Sequence, residues 1–316
     1  MTATVLTVGE AMALLDPLED GPLVYGSHLQ LRIAGAESNF AIALSRLGIS
    51  VSWISRLGSD QFGDLIVASL AAEGVDVAGV CFEPHVPTGA FFKWREGGRS
   101  QNLYYRAGSA ASRLSLDDLH ADALIGVRLV HATGITMALS DSARTLVIEV
   151  IRRARTQGAI TTFDLNYRPS LWKNGPSDAR EAVRDVLPSV DWCLCGLEEG
   201  SAVFGTVSSE DLLRAIIGAG ARSAVIRVGA RGALVAVDGN LEAVAPRRVE
   251  KVIDEIGAGD AFAAGFAYGL LKGWSAEAAA RAGNLIAAAA LRGTGDWETA
   301  PHLIEIEKDL LECALG

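Results

Sequence analysis

Short runs of β-branched and apolar residues alternate with longer amphipathic segments along most of this chain, and that alternation leaves few folds open. Strand-like runs fall at Val5–Val8, Val51–Ile54, Leu129–Ala132, Ile160–Leu165, Asp191–Cys195 and Ala224–Val228. Helical periods fall at Glu37–Leu47, Asp64–Glu73, Ser142–Gln157, Asp178–Leu187, Glu210–Ala219, Asp260–Leu271 and Ala276–Leu291. Strands separated by helices build βαβ units, so the expected class is α/β, with a mainly parallel sheet covered on both faces. Ligands in such sheets sit beyond the carboxyl ends of the strands, so informative residues should follow strands directly.

Two stretches break the alternation. Met12–Ile33 carries turn residues (Asp16-Pro17, Asp20-Gly21-Pro22) and no long helical period. Gly89–Arg106 reads as two strands, GAFFKWRE and SQNLYYRA, around the turn Gly97-Gly98. Together they predict a small antiparallel sheet apart from the main layer, either a lid or a surface hairpin.

Charge narrows the partners. The formal net charge of −10 argues against a general nucleic-acid or membrane-surface binder, since both need excess Lys and Arg. An acidic chain that handles anions must gather its cations locally, beside glycine-rich turns. The start reads as a first strand and not as a targeting segment, and runs such as Phe262–Leu271 are too short to span a bilayer. The expected compartment is cytoplasmic. Cys81, Cys193, Cys195 and Cys313 suit neither a zinc site nor a disulfide framework, and the five His residues are scattered.

The strongest local signal is Asp254-Glu255-Ile256-Gly257-Ala258-Gly259-Asp260, followed by AFAAGFAYGLL. A glycine turn feeding an apolar helix presents unpaired N–H groups and the positive end of the helix dipole, a ready anion site. Asp260 stands at its mouth, where N–H donors and the dipole are expected to keep the carboxylate ionised. An ionised Asp beside a phosphate can accept a proton from an attacking hydroxyl; the plainer role is a helix cap. No GxxxxGK[ST] loop occurs, and Val8-Gly9-Glu10 lacks dinucleotide spacing. A second signal is Ala34-Gly35-Ala36-Glu37-Ser38-Asn39, a small-residue turn that lets a polyol approach the main chain, with Asn39 as donor and acceptor.

GAGD opening an apolar helix, with an AGAESN turn near the N-terminus, resembles the ribokinase-like carbohydrate kinases, also called the PfkB family, over nearly the whole chain. The resemblance implies a ribokinase-like three-layer αβα sandwich with a mainly parallel central sheet and a small antiparallel β-sheet lid. Residues 1–11, 34–88 and 109–316 would form the nucleotide- and substrate-binding domain, and 12–33 and 89–108 the lid. It also implies ATP and Mg²⁺, admits a monovalent cation such as K⁺, and gives Asp260 the role of general base, with Gly257, Ala258 and Gly259 as anion hole. Three further segments, Leu103-Tyr104-Tyr105-Arg106-Ala107-Gly108-Ser109-Ala110, Thr133-Gly134-Ile135-Thr136 and Asp164-Leu165-Asn166-Tyr167-Arg168-Pro169-Ser170-Leu171-Trp172, look like the 2-keto-3-deoxygluconate kinases within that family. A sugar acid carries a carboxylate that Arg can grip in a fork, and Arg106 and Arg168 are the candidate cations.

By the same similarity Gly35, Ala36, Glu37, Ser38, Asn39, Phe91, Tyr104, Tyr105, Arg106, Arg168, Asp260 and Asp296 line the sugar-acid pocket. Strand alternation should turn one of the two tyrosines away. On the nucleotide side the resemblance places Asn166, Tyr167 and Arg168, the loop Arg227-Val228-Gly229-Ala230-Arg231-Gly232, the GAG turn and Asn284. Several residues depart from the family pattern. Gly196 replaces the Asn of an Asn-x-x-Glu motif, leaving Glu199 to act on Mg²⁺ through water. Phe91 stands where close relatives tend to carry Tyr, Ala34 replaces a Gly, and Glu255 sits where a small residue or Pro is usual.

The expected reaction is ATP-dependent phosphorylation of 2-keto-3-deoxygluconate to its 6-phosphate, a step of the Entner–Doudoroff type. The alternatives are a fructokinase- or ribokinase-like enzyme for a neutral sugar, a non-catalytic sugar sensor, and more distantly a nicotinamide enzyme. The apolar lid strands Ala90–Trp94 and Leu103–Tyr105 suggest a homodimer clasped lid to lid.

Overall fold

A computed structural model describes residues 3–19, 21–96, 99–237 and 239–315. The strands are β1 Val5–Val8, β2 Met12–Pro17, β3 Leu29–Ala34, β4 Val51–Gly58, β5 Val80–Glu83, β6 Ala90–Glu96, β7 Arg99–Tyr105, β8 Leu129–Thr133, β9 Ile160–Asp164, β10 Trp192–Gly196, β11 Ser223–Arg227, β12 Ala233–Val237 and β13 Asn240–Val244. The helices are α1 Ala36–Arg46, α2 Gln61–Ala72, α3 Gly134–Leu139, α4 Asp141–Thr156, α5 Pro176–Val186, α6 Leu197–Phe204, α7 Ser209–Gly218, α8 Ala258–Leu271, α9 Ala276–Ala290 and α10 Leu303–Leu315. All six expected strands and all seven expected helices are present, with ends shifted by a few residues.

The main sheet has nine strands in the order β13-β12-β11-β10-β9-β8-β1-β4-β5. It is parallel except where β12 and β13 add an antiparallel edge. Its two faces are buried separately. Apolar residues of α1, α2, α8, α9 and α10 pack on one side, and those of α3 to α7 on the other, giving three layers. The chain leaves β1 for β4 on one side and fills β8 to β13 on the other. The order therefore reverses between β1 and β8, the place where such sheets open a ligand crevice.

Local chemistry starts the helices where the sequence suggests. The Asp60 carboxylate accepts the Phe62 and Gly63 N–H groups at the start of α2. Ser140, Ser208 and Ser275 cap α4, α7 and α9 in the same manner. Helix α8 is apolar nearly all round because it is sandwiched between sheet and helices. Its glycines let α9 approach closely: a Cβ on Gly265 would lie 2.5 Å from the Ala282 carbonyl oxygen. That tight packing fixes the N-terminus of α8, where the glycine turn sits.

The two irregular stretches pair into a second sheet, in the order β3-β2-β6-β7. It is not wholly antiparallel, as the sequence suggested: β2 and β6 run parallel, because β6 returns only after a long excursion through the main domain. The expected turn Gly97-Gly98 and residue Asp20 lie outside the described residues. No helix of the described residues is long and apolar enough to cross a membrane.

Candidate active site

A cavity of about 820 Å³ opens at the carboxyl ends of the main strands, beneath the small sheet. Its floor is the glycine turn. Gly257 adopts φ +76°, and a Cβ there would lie 1.9 Å from the Asp296 carbonyl oxygen. Only glycine fits that contact and that backbone. The turn hands over to α8, where Ala261 N–H donates to the Gly257 carbonyl. The N–H groups of Gly259 and Asp260 precede that first bond and donate to no group among the described residues. They remain free for an anion.

Asp260 is half-buried between α1 and the end of β9. Asn39 Nδ2 donates to its Oδ2 at 2.8 Å, and Asn166 Nδ2 approaches Oδ1 at 3.4 Å. Asn166 takes φ +38°, a conformation Asn tolerates better than most residues, and it turns the chain under the carboxylate as β9 ends. The ionised state expected from the sequence does not hold here. Burial pushes the Asp260 carboxyl up to about 8, with the nearby Asp164 and Asp296 charges adding, and the Asn39 bond and Arg168 opposing. Desolvation outweighs the dipole and the amide donors because the group is withdrawn from water.

Asp296 also lines the cavity. Burial raises its carboxyl to about 7 against the pull of Lys93, and its Oδ1 has no hydrogen-bond partner. Above it, Phe91 and Tyr104 stack at 5.2 Å between ring centres on the inner face of the small sheet. Tyr105 falls on the outer face, 61% exposed, so one tyrosine does turn away. Arg106 follows β7, buried, with its guanidinium 5.7 Å from the Tyr104 ring centre. It is ion-paired with Glu10, whose other oxygen accepts from Ser109 Oγ at 2.6 Å. The buried Nε of Arg106 has no hydrogen-bond partner among the described residues. Arg168 lines the opposite wall, exposed, and forms no ion pair among the described residues.

The structure thus gathers Gly35, Ala36, Asn39, Phe91, Tyr104, Arg106, Asn166, Arg168, Glu199, Arg227, Val228, Gly229, Arg231, Gly257, Gly259, Asp260 and Asp296 around one space. It does not bring the rest there. Glu37 points into the core, where Thr133 and Thr136 hydroxyls donate to it at 2.6 Å and burial raises its carboxyl. Ser38 folds back on the Gly35 carbonyl. Tyr167, Ala230, Gly232 and Ala258 lie off the cavity wall, and Asn284 donates to the Ala245 carbonyl instead.

Two charged residues are more committed than the sequence suggested. Arg227 forks onto Asp164 at 2.6 and 3.0 Å and also reaches Glu199 at 3.0 Å. The carboxylate of Glu199 further accepts from the Gly196 and Tyr167 N–H groups, capping its own helix. Among the described residues no group of three or more His, Cys, Asp or Glu side chains could hold a metal ion. Sequence reasoning missed Glu10 and Asn102 as wall residues. Glu10 was detectable as an acid just past the first strand, and Asn102 by alternation with Tyr104.

The sequence profile described as "pfkB family carbohydrate kinase" matches residues 2–303. A Bacillus subtilis (strain 168) protein, 2-dehydro-3-deoxygluconokinase, is 35% identical over 303 residues, covering 95% of this chain and 93% of that one. A PfkB protein from Polaromonas sp. JS666 superposes with a TM-score of 0.88 at 36% identity, covering 96% and 99% of the two chains. A Xylella fastidiosa fructokinase solved with bound ATP gives 0.87 at 25% identity, covering 99% of each chain.

Proposed function

This chain belongs to the pfkB family of carbohydrate kinases, and we propose that it transfers the γ-phosphoryl group of ATP to the terminal hydroxyl of 2-keto-3-deoxygluconate, giving the 6-phosphate. The observation that carries this is the Asp260 carboxyl, held by Asn39 and Asn166 beside the free N–H groups of the α8 turn, in one cavity with Arg106 and Arg168. The Bacillus relative bears the name of that sugar-acid kinase, and the Xylella relative binds ATP.

In this reading the sugar acid lies under the small sheet, which acts as a lid, with its carboxylate between Arg106 and Arg168. The phosphates lie against Gly257 to Asp260, where main-chain amides stabilise the charge that develops on transfer. Asp260 removes the hydroxyl proton as the oxygen bonds to the γ-phosphorus and the bond to ADP breaks. Only the ionised carboxylate can do this, so kcat/KM should rise as pH passes through about 8. Magnesium is not caged by this donor set, since the oxygens of Glu199 are already taken; an ion would rest on phosphates and water.

Arg168, like Arg231 on the same cavity, forms no ion pair among the described residues and is free for a carboxylate, and a charge-assisted hydrogen bond contributes about 1.5–3 kcal/mol. Arg168→Ala should therefore raise KM for the sugar acid by roughly 10–100-fold. A coupled ADP assay over sugars and sugar acids checks both substrate and residue. Turnover of fructose without turnover of the acid would replace this reading with a neutral-sugar kinase, which the existing Glu10–Arg106 pair favours.

The outer face of the lid carries Leu29, Leu31, Leu103 and Tyr105, each more than a third exposed. A second copy covering that face is the proposed assembly, clasped sheet to sheet. Light scattering at micromolar concentration should give a dimer, and a monomer there would count against it.

A further inference from the structure

Lys93 is among the most completely buried side chains of the molecule, 1% exposed, although it belongs to the small sheet. It stands on β6, on the same face as Phe91, and its strand partner is Asn102. Both of those residues line the cavity, whereas Lys93 itself does not reach it. Its ammonium is ion-paired with Asp254, in the segment that leads into the glycine turn. The other oxygen of Asp254 accepts the Ile256 N–H at 3.2 Å. The Lys93 charge also acts on Asp296, whose main-chain carbonyl is packed beneath Gly257. One buried cation of the acceptor-binding sheet therefore contacts or faces both segments that shape the anion-binding turn.

We propose that Lys93 is a positioning residue for phosphoryl transfer, which through Asp254 sets the Ile256–Gly259 turn in register with the small sheet. Seating of the acceptor under the sheet and assembly of the phosphate site are then one event. A buried ion pair is a poor device for stability alone, because desolvating both charges offsets much of their attraction; register is the better-attested use. The sheet has a second tie to the body, in which Arg32 reaches Glu298 at 2.9 Å and the Thr294 carbonyl. That tie does not touch the 254–259 segment, so it serves as an internal control.

The inference rests on the reading of the turn as the phosphate site, and two measurements keep the two apart. In the parent protein, calorimetric titration of a non-hydrolysable ATP analogue should show at least fivefold tighter binding when 2-keto-3-deoxygluconate is present. Equal affinity with and without the acid overturns the coupling, while absence of analogue binding altogether overturns the phosphate-site reading itself. Because removing one partner leaves a buried charge unpaired, the variant to compare is the double one, Lys93→Met with Asp254→Asn. It should melt near the parent temperature, yet lose at least tenfold in kcat/KM for ATP and lose the tightening by the acid. Arg32→Gln should leave the KM for ATP within twofold. Parent-like kinetics in the double variant, or an equal loss in Arg32→Gln, overturns the role of Lys93.

Discussion

Asp260→Asn should lower turnover by about 10²–10⁴-fold, the usual cost of losing a general base, while making the folded protein more heat-resistant above neutral pH. The two effects have one cause. The carboxyl titrates near 8 in the folded chain but near 3.8 as an ordinary Asp. Between those values the folded state keeps a proton that the unfolded state releases, so stability falls as pH rises through that window and is lowest once Asp260 is ionised. Asn has the same shape and never ionises, so it escapes that cost. Melting curves at pH 6 and pH 9 test this: the gain over the parent should be larger at pH 9. A variant with near-normal turnover, or one less stable than the parent at pH 9, would contradict the role and the burial respectively. A base this costly to ionise fits the general pattern in which active sites hold groups that the fold would otherwise reject.

Gly257→Ala should abolish measurable activity and destabilise the chain by several kcal/mol. The new methyl group would stand 1.9 Å from the Asp296 carbonyl, and the φ of +76° strains any L side chain. The turn would have to move off Asp296 and carry the Gly259 and Asp260 amides with it. Two residues on, the expectation reverses. The nearest neighbour of a Cβ on Gly259 would be the Arg227 guanidinium, at 3.7 Å, an ordinary contact. Gly259→Ala should therefore fold with little loss of stability but bind ATP more weakly, because the methyl group projects into the cavity. Thermal melts together with KM for ATP separate the two: Gly257 matters to the fold, Gly259 to the approach of phosphate. Equal stability losses in both would contradict the distinction.

That contrast shows where the sequence is readable. GAGD and AGAESN are each contiguous, and the chemistry they need, free amides and small side chains, is set within one turn of chain. The alternation of strand and helix periods likewise reports local burial, so the three-layer arrangement could be read from it. Tyr104 and Tyr105 separate by strand alternation alone. The residues misread from sequence are those whose partners are remote. Glu37 sits in the motif but faces Thr133 and Thr136, about a hundred positions away. Arg227 does reach the cavity, but the sequence did not show that remote Asp164 occupies its fork. Asn284 lies on a suitable helix and is turned to the main chain of another segment.

By itself, then, the order of residues determined which elements form, which turn can hold an anion, and which acid stands beside it, because each of these depends on neighbours within a few positions. Tertiary structure alone decided the charge that acid carries, which arginines are paired, and that a lysine of the small sheet grips the approach to the turn. Those outcomes depend on desolvation and on pairing between remote segments, 221 positions apart for Asn39 and Asp260, and neither burial nor the choice of partner exists until the chain has folded.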